Sequence, residues 1–121
     1  MSSQIVVVTG NDERRAALLD TLNDAGYLAS GASTFDEAKH LLETRSPDLV
    51  IADERLGAFN GLHVIVVGRA RHPGMKAIVT SPIKDEGLEI DAKRLNVYCL
   101  VEPTRQSDWL ASISRTLEVV H

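Results

Sequence analysis

The stretch Ser46-Pro47-Asp48-Leu49-Val50-Ile51-Ala52-Asp53 opens on a turn signal, runs through four apolar residues and stops on a carboxylate. A short continuous apolar run bounded by turn residues fits a strand covered on both faces; a half-exposed strand would alternate. Three further runs share the pattern. Ile5-Val6-Val7-Val8 ends at Thr9-Gly10, Ala77-Ile78-Val79 ends at Thr80-Ser81-Pro82, and Val97-Tyr98-Cys99-Leu100-Val101 ends at Glu102-Pro103. Tyr27 to Ser30, following Gly26, is a fifth and weaker strand.

Helical patterns lie between the runs. Leu18, Leu22 and Ala25, with Leu19 alongside, form one stripe. Phe35, Ala38, Leu41 and Leu42 form another, and Thr34 with Glu37 has the spacing of a capping box. Leu110, Ile113, Leu117 and Val120 repeat at helical spacing near the end, with Trp109 beside the stripe as a cover for the core edge or an anchor for a partner. Leu62 to Val67 carries enough valine for propensity alone to read it as a strand. Val64 and Val67 fall off the Leu62/Ile65 stripe and, if exposed, make a second contact patch. Lys84 to Arg94 holds Gly87 and an Ile90 out of phase with Leu88, Ala92 and Leu95, which predicts a weak, mobile helix.

Strand–helix alternation repeated five times predicts a parallel sheet with helices on both faces, a doubly wound α/β domain. Ligand crevices in such sheets lie at the carboxyl ends of the strands. That selects Thr9, Gly10, Asn11 and Asp12, then Asp53 and Glu54, Thr80 and Ser81, and Glu102 with Pro103.

Composition narrows the class of function. A chain of 121 residues holds one core, and 44% hydrophobic with 25% charged residues is ordinary for a globular domain. A net charge of −4 argues against direct nucleic-acid binding. The single Cys99 allows no internal disulfide and no cysteine zinc cluster, and is read as a small buried side chain. His40, His63, His72 and His121 lack ligand spacing and are read as surface residues. No apolar run is long enough to span a membrane and no leader is visible, so a cytoplasmic location is expected.

The residues at the strand ends resemble the receiver (CheY-like) family of bacterial response regulators over essentially the whole chain, residues 1–121. Pro47 to Asp53 resembles the third strand and its phosphoacceptor aspartate; Asn60-Gly61 resembles the pair that follows it. Ala77-Ile78-Val79-Thr80-Ser81 resembles the fourth strand with its switch hydroxyl, Thr80. Leu100-Val101-Glu102-Pro103 resembles the fifth strand, where the family has Lys-Pro, and Ala25-Gly26-Tyr27 resembles the end of the first helix. The resemblance implies a five-stranded parallel sheet in the order 2-1-3-4-5. It also implies a place in a two-component or phosphorelay system, protein partners (a histidine kinase, an output domain or a second copy), and frequently a position at the N-terminus of a longer protein.

Two departures bear on the chemistry. In the family an acidic pair after the first strand holds Mg²⁺ with the phosphoacceptor; here that pair falls on Thr9 and Gly10. Asp12, two residues on, is the nearest acid and a weak metal candidate beside Asp53, but Asn11, Asp12 and Glu13 read better as a helix cap and first turn. The family's lysine becomes Glu102. Two carboxylates then face one crevice, and a like charge at ~4 Å with an effective dielectric near 20 contributes on the order of 4 kcal/mol of repulsion. Arg55, in the loop lining the crevice, is the expected compensating charge, with Arg14 and Arg15 as further options. The fifth strand's usual aromatic is Cys99, with Tyr98 next to it; Tyr98 and Trp109 are the expected partner surface.

The expectation is a non-enzymatic signalling module, an atypical receiver with no resident cofactor, working through protein contacts. The alternative is a working phosphoreceiver modified at Asp53 by a histidine kinase through a rearranged Mg²⁺ site. A Rossmann-type nucleotide-binding enzyme, suggested by Val7-Val8-Thr9-Gly10, is remote, because Asn11 to Leu19 contains none of the further glycines a pyrophosphate needs.

Overall fold

The structure, a computed structural model, describes residues 2–102 and 105–118. Strand β1 (Gln4–Val8) leads to α1 (Asp12–Asp24), β2 (Leu28–Ala32), α2 (Phe35–Thr44) and β3 (Leu49–Asp53). A small hairpin of β4 (Arg55–Leu56) and β5 (Phe59–Asn60) precedes α3 (Gly61–Arg71). Then come β6 (Lys76–Ser81), α4 (Glu86–Arg94), β7 (Tyr98–Val101) and α5 (Gln106–Glu118). The five long strands form one parallel sheet in the order β2-β1-β3-β6-β7. Counting only those strands, this is the expected order 2-1-3-4-5.

Strand alternation divides the core into two layers. Ile5, Val7, Leu49, Ile51 and Ile78 face Leu18 and Leu22 of α1 and Trp109 and Ile113 of α5. Val6, Val8, Val50, Ala52, Ala77 and Val79 face α2, α3 and α4 through Ala38, Leu42, Val64, Ile65, Leu88 and Ala92. Both layers are buried, which is why the strands read as continuous apolar runs.

Helix ends follow local chemistry. Thr34 Oγ1 accepts from the Glu37 amide at 3.1 Å, while the hydroxyl of Ser33 bonds the Glu37 carboxylate and holds that acid below its ordinary value. Thr34→Ala is expected to lower stability by about 1 kcal/mol, read from the urea midpoint. Helix α1 stops because Gly26, at φ +95°, turns the chain left-handed; the Tyr27 amide then reaches back to the Leu22 carbonyl at 3.1 Å. Asn96, at φ +58°, ends α4 the same way, with the Val97 amide on the Ala92 carbonyl at 2.8 Å.

Several expectations change. Ala25 is exposed and caps α1, so it leaves the stripe; β2 begins one residue after Tyr27 and reaches Ala32. The valine-rich segment is helical, because Asn60 caps it by accepting from the His63 amide at 3.0 Å and because Leu62, Val64 and Ile65 all find core to bury in. Tertiary burial overrides the modest helix propensity of valine. Val64 is 1% exposed and Val67 is half-buried, so no contact patch forms there; the exposed valine of α3 is Val66. Trp109, expected at the edge or on a partner surface, is 6% exposed and belongs to the core, whereas Tyr98 stays exposed. His72 is half-buried, its Nε2 2.8 Å from the Leu42 carbonyl, so it joins α3 to α2 instead of lying on the surface. Pro103, Val120 and His121 lie outside the described residues.

Candidate functional site

The strand tips meet where expected. Asp53 ends β3, and its register partner on β6 is Thr80. Thr80 Oγ1 donates to Asp53 Oδ1 at 2.6 Å. Backbone bonds hold the tips together: the Glu54 amide donates to the Thr80 carbonyl and the Glu102 amide to the Ser81 carbonyl, each at 2.8 Å. Asp53 and Glu102 are therefore brought to one pocket, with side chains 18% and 13% exposed.

The cation between them is Arg14. Its guanidinium donates to Asp53 Oδ1, and its Nε lies 3.6 Å from Glu102 Oε1. The placement follows from α1. Asn11 caps the helix by accepting the Arg14 amide at 3.0 Å. Side chains on a helix lean toward its N-terminus, so Arg14 in the first turn reaches back over the tips of β3 and β7. Arg15 is held elsewhere, on the Thr9 carbonyl and on Asp12 Oδ1, each at 2.7 Å. Arg55, the expected compensating charge, is exposed on β4, and no ion pair of it is found among the described residues. It stays at the rim of the crevice without an ion pair to Asp53 or Glu102, and Arg14 takes the position expected of it.

One signal for Arg14 was available. A helix dipole disfavours cations at its N-terminus, yet α1 carries Arg14 and Arg15 there. A local rule broken in this way marks a residue with work beyond the helix.

The Mg²⁺ implied by the resemblance can be tested against the donors present. Magnesium needs hard oxygens converging in octahedral geometry. At the acidic-pair positions, Gly10 has no side chain and buried Thr9 is already committed: its hydroxyl accepts from the Asn11 amide at 3.1 Å and its carbonyl from Arg15. Asp12 is turned to solvent, 83% exposed, and paired with Arg15. Asp53 Oδ1 already takes two donors. Among the described residues no three His, Cys, Asp or Glu side chains are grouped to hold a metal ion. The residues present do not fit this ion.

A cavity of about 210 Å³ opens above Asp53, lined by Arg14, Glu54, Arg55, Thr80, Pro82 and Glu102. Beneath it, a void of only about 10 Å³ is bordered by Arg14, Asp53, Thr80, Leu18 and Trp109, so the site rests directly on α5. No helix among the described residues is long and apolar enough to cross a membrane.

No protein-family model matches the chain. Over 99 residues it is 31% identical to the alginate biosynthesis transcriptional regulatory protein AlgB of Pseudomonas aeruginosa; the match covers 81% of this chain and 22% of that protein. In structure it is similar to a CheY-like response regulator receiver domain of Methanospirillum hungatei, with a TM-score of 0.90 at 19% identity, covering 98% of this chain and 95% of that one. It is also similar to a Burkholderia pseudomallei response regulator solved with a phosphorylated aspartic acid, calcium ion and citrate. There the TM-score is 0.85 at 21% identity, covering 98% of this chain and 68% of that one. In fold, the chain belongs with the CheY-like receiver domains of response regulators.

Proposed function

We propose that the chain is a receiver-like signalling module of a two-component or phosphorelay system in which Arg14 replaces the metal-assisted phosphorylation chemistry. The observation that carries this reading is the Arg14 guanidinium on Asp53 and beside Glu102. A fixed internal cation neutralises one of two crowded carboxylates and occupies the oxygen an incoming phosphoryl group would need. Phosphoryl transfer relies on positioning and charge stabilisation, and a pocket with two carboxylates and one arginine offers a dianion neither. On this reading the domain is no enzyme. It works in the cytoplasm through contacts with a kinase, an output domain or a second copy, as one domain of a longer regulator.

The test is intact-mass spectrometry of the chain incubated with acetyl phosphate and Mg²⁺. No phosphoryl mass increment is expected, in the wild type or in Asp53→Asn. An increment present in the wild type and absent from Asp53→Asn would instead establish a working phosphoreceiver and end the proposal.

A further inference from the structure

Strand β2 is one edge of the sheet, paired with β1 alone. Protein edges are commonly blunted by charges or proline, yet Leu28–Ala32 contains neither, and Leu28 is 58% exposed. A parallel ladder uses the backbone groups of alternate residues. The Leu28 amide donates to the Ser3 carbonyl at 3.0 Å and the Thr9 amide to the Ala32 carbonyl at 3.1 Å, so Leu28, Ser30 and Ala32 face β1. Ala29 and Gly31 therefore turn their backbone groups outward. Asn23 Oδ1 accepts from the Ala29 amide at 3.1 Å, which leaves the Gly31 amide and the Ala29 and Gly31 carbonyls along the open edge. We propose that this edge takes an extended, basic segment of a partner protein as a sixth strand.

Backbone and charge both select that occupant. An antiparallel strand centred on Gly31 exchanges two bonds with it, amide to carbonyl and carbonyl to amide. In strand addition the main chain supplies affinity and alternate side chains supply specificity. Beside the edge, a cavity of about 370 Å³ is lined by Gly31 and by Asp36, Glu37, His40 and Leu41 of α2. It holds two carboxylates and, among the described residues, no lysine or arginine. The Ser33 hydroxyl bonds Glu37 and keeps that carboxyl below its ordinary value, so it is charged at neutral pH. Arg15, whose charge also reaches Glu37, lies on the α1 side of the edge, where a Cβ on Gly31 would meet it and Leu19. Its guanidinium is held there by Thr9 and Asp12. The partner residue opposite Gly31 points toward α1 in the same way, and the residues flanking it point toward α2. Those flanking positions carry the lysine or arginine that meets Asp36 and Glu37. The inference is independent of the chemistry at Asp53.

The test is an amide-resonance titration of the whole chain with a short blocked peptide alternating valine and lysine, so that every lysine falls on one face. Saturable shifts at Ala29, Ser30, Gly31 and His40 are expected, with a dissociation constant on the order of 1 mM for so short and flexible a segment. The same peptide with glutamate for lysine should bind at least about tenfold more weakly, and Asp36→Asn should weaken the lysine peptide about threefold. With proline for valine, the residue opposite Gly31 loses its amide, and binding should fall at least about fivefold with the protein itself unchanged. Shifts that fail to saturate at tens of millimolar, that are equal for the glutamate peptide, or that survive the proline exchange overturn the assignment. So do shifts at these amides when the chain alone is concentrated, which would give the edge to a second copy.

Discussion

Gly61→Ala should destabilise the domain by about 3 kcal/mol or more, the upper end of what an overpacked site produces. A Cβ on Gly61 would sit 2.2 Å from the carbonyl oxygen of Asp53, 2.9 Å from its carbonyl carbon and 3.1 Å from Ala52 Cβ. Those atoms are mostly backbone of a central strand and cannot swing aside. The Gly61 amide is itself tied to the Glu54 carbonyl at 2.9 Å, so α3 is pinned against the tip of β3 from its own side as well. The chain must break that bond, tilt α3 off the sheet or push Asp53 out of line with Thr80. Gly74→Ala is the control, since its Cβ would meet nothing within 4 Å and should change stability by no more than about 0.5 kcal/mol. Urea midpoints of the two variants decide it. A Gly61→Ala protein as stable as the wild type would mean that α3 does not approach Asp53 this closely.

Arg14→Ala should destabilise by about 2 kcal/mol. Removing one partner of a buried pair takes away roughly 3–5 kcal/mol, and the figure is scaled down here because Arg14 is 36% exposed and water reaches it. The loss arises from the two carboxylates left behind in a pocket where each is mostly shielded from solvent. The double variant Arg14→Ala/Glu102→Gln removes that repulsion and should recover about half of the loss, a coupling expected of groups sharing one site. Chemical denaturation of the four proteins of this cycle measures it. If the single variant unfolds at the wild-type midpoint, the arginine is a solvated surface residue and the proposed neutralisation fails with it.

The strands and the carboxylates at their tips, Asp53 and Glu102, were legible because continuous apolar runs ending on polar residues survive without knowledge of tertiary contacts; the strand order rested on the resemblance to the receiver family. The helix of α3 was ambiguous for the converse reason. Valine prefers strands, and only burial of Val64 and Ile65 against the sheet decides the matter. Trp109 and Leu110 are neighbours on one helix, and a stripe drawn through Leu110 put the ring on the wrong side. The structure centres the buried face on Trp109, Ser112 and Ile113. At the site, Arg55 is nearer to Asp53 in sequence than Arg14, so loop proximity favoured it. The reach of a first-turn arginine across strand tips depends on helix orientation, which no local pattern encodes. The two-residue strands of the β4–β5 hairpin were too short to produce a periodic signal.

Trp109 is the chain's sole indole, and it borders the same tiny void as Arg14, Asp53 and Thr80. Any event that lifts the guanidinium from its carboxylates therefore alters the polarity felt by a single chromophore. The domain therefore holds a built-in optical gauge: its ultraviolet emission is expected to follow the charge state of the pocket without a label, through the ring that α5 places beneath the site.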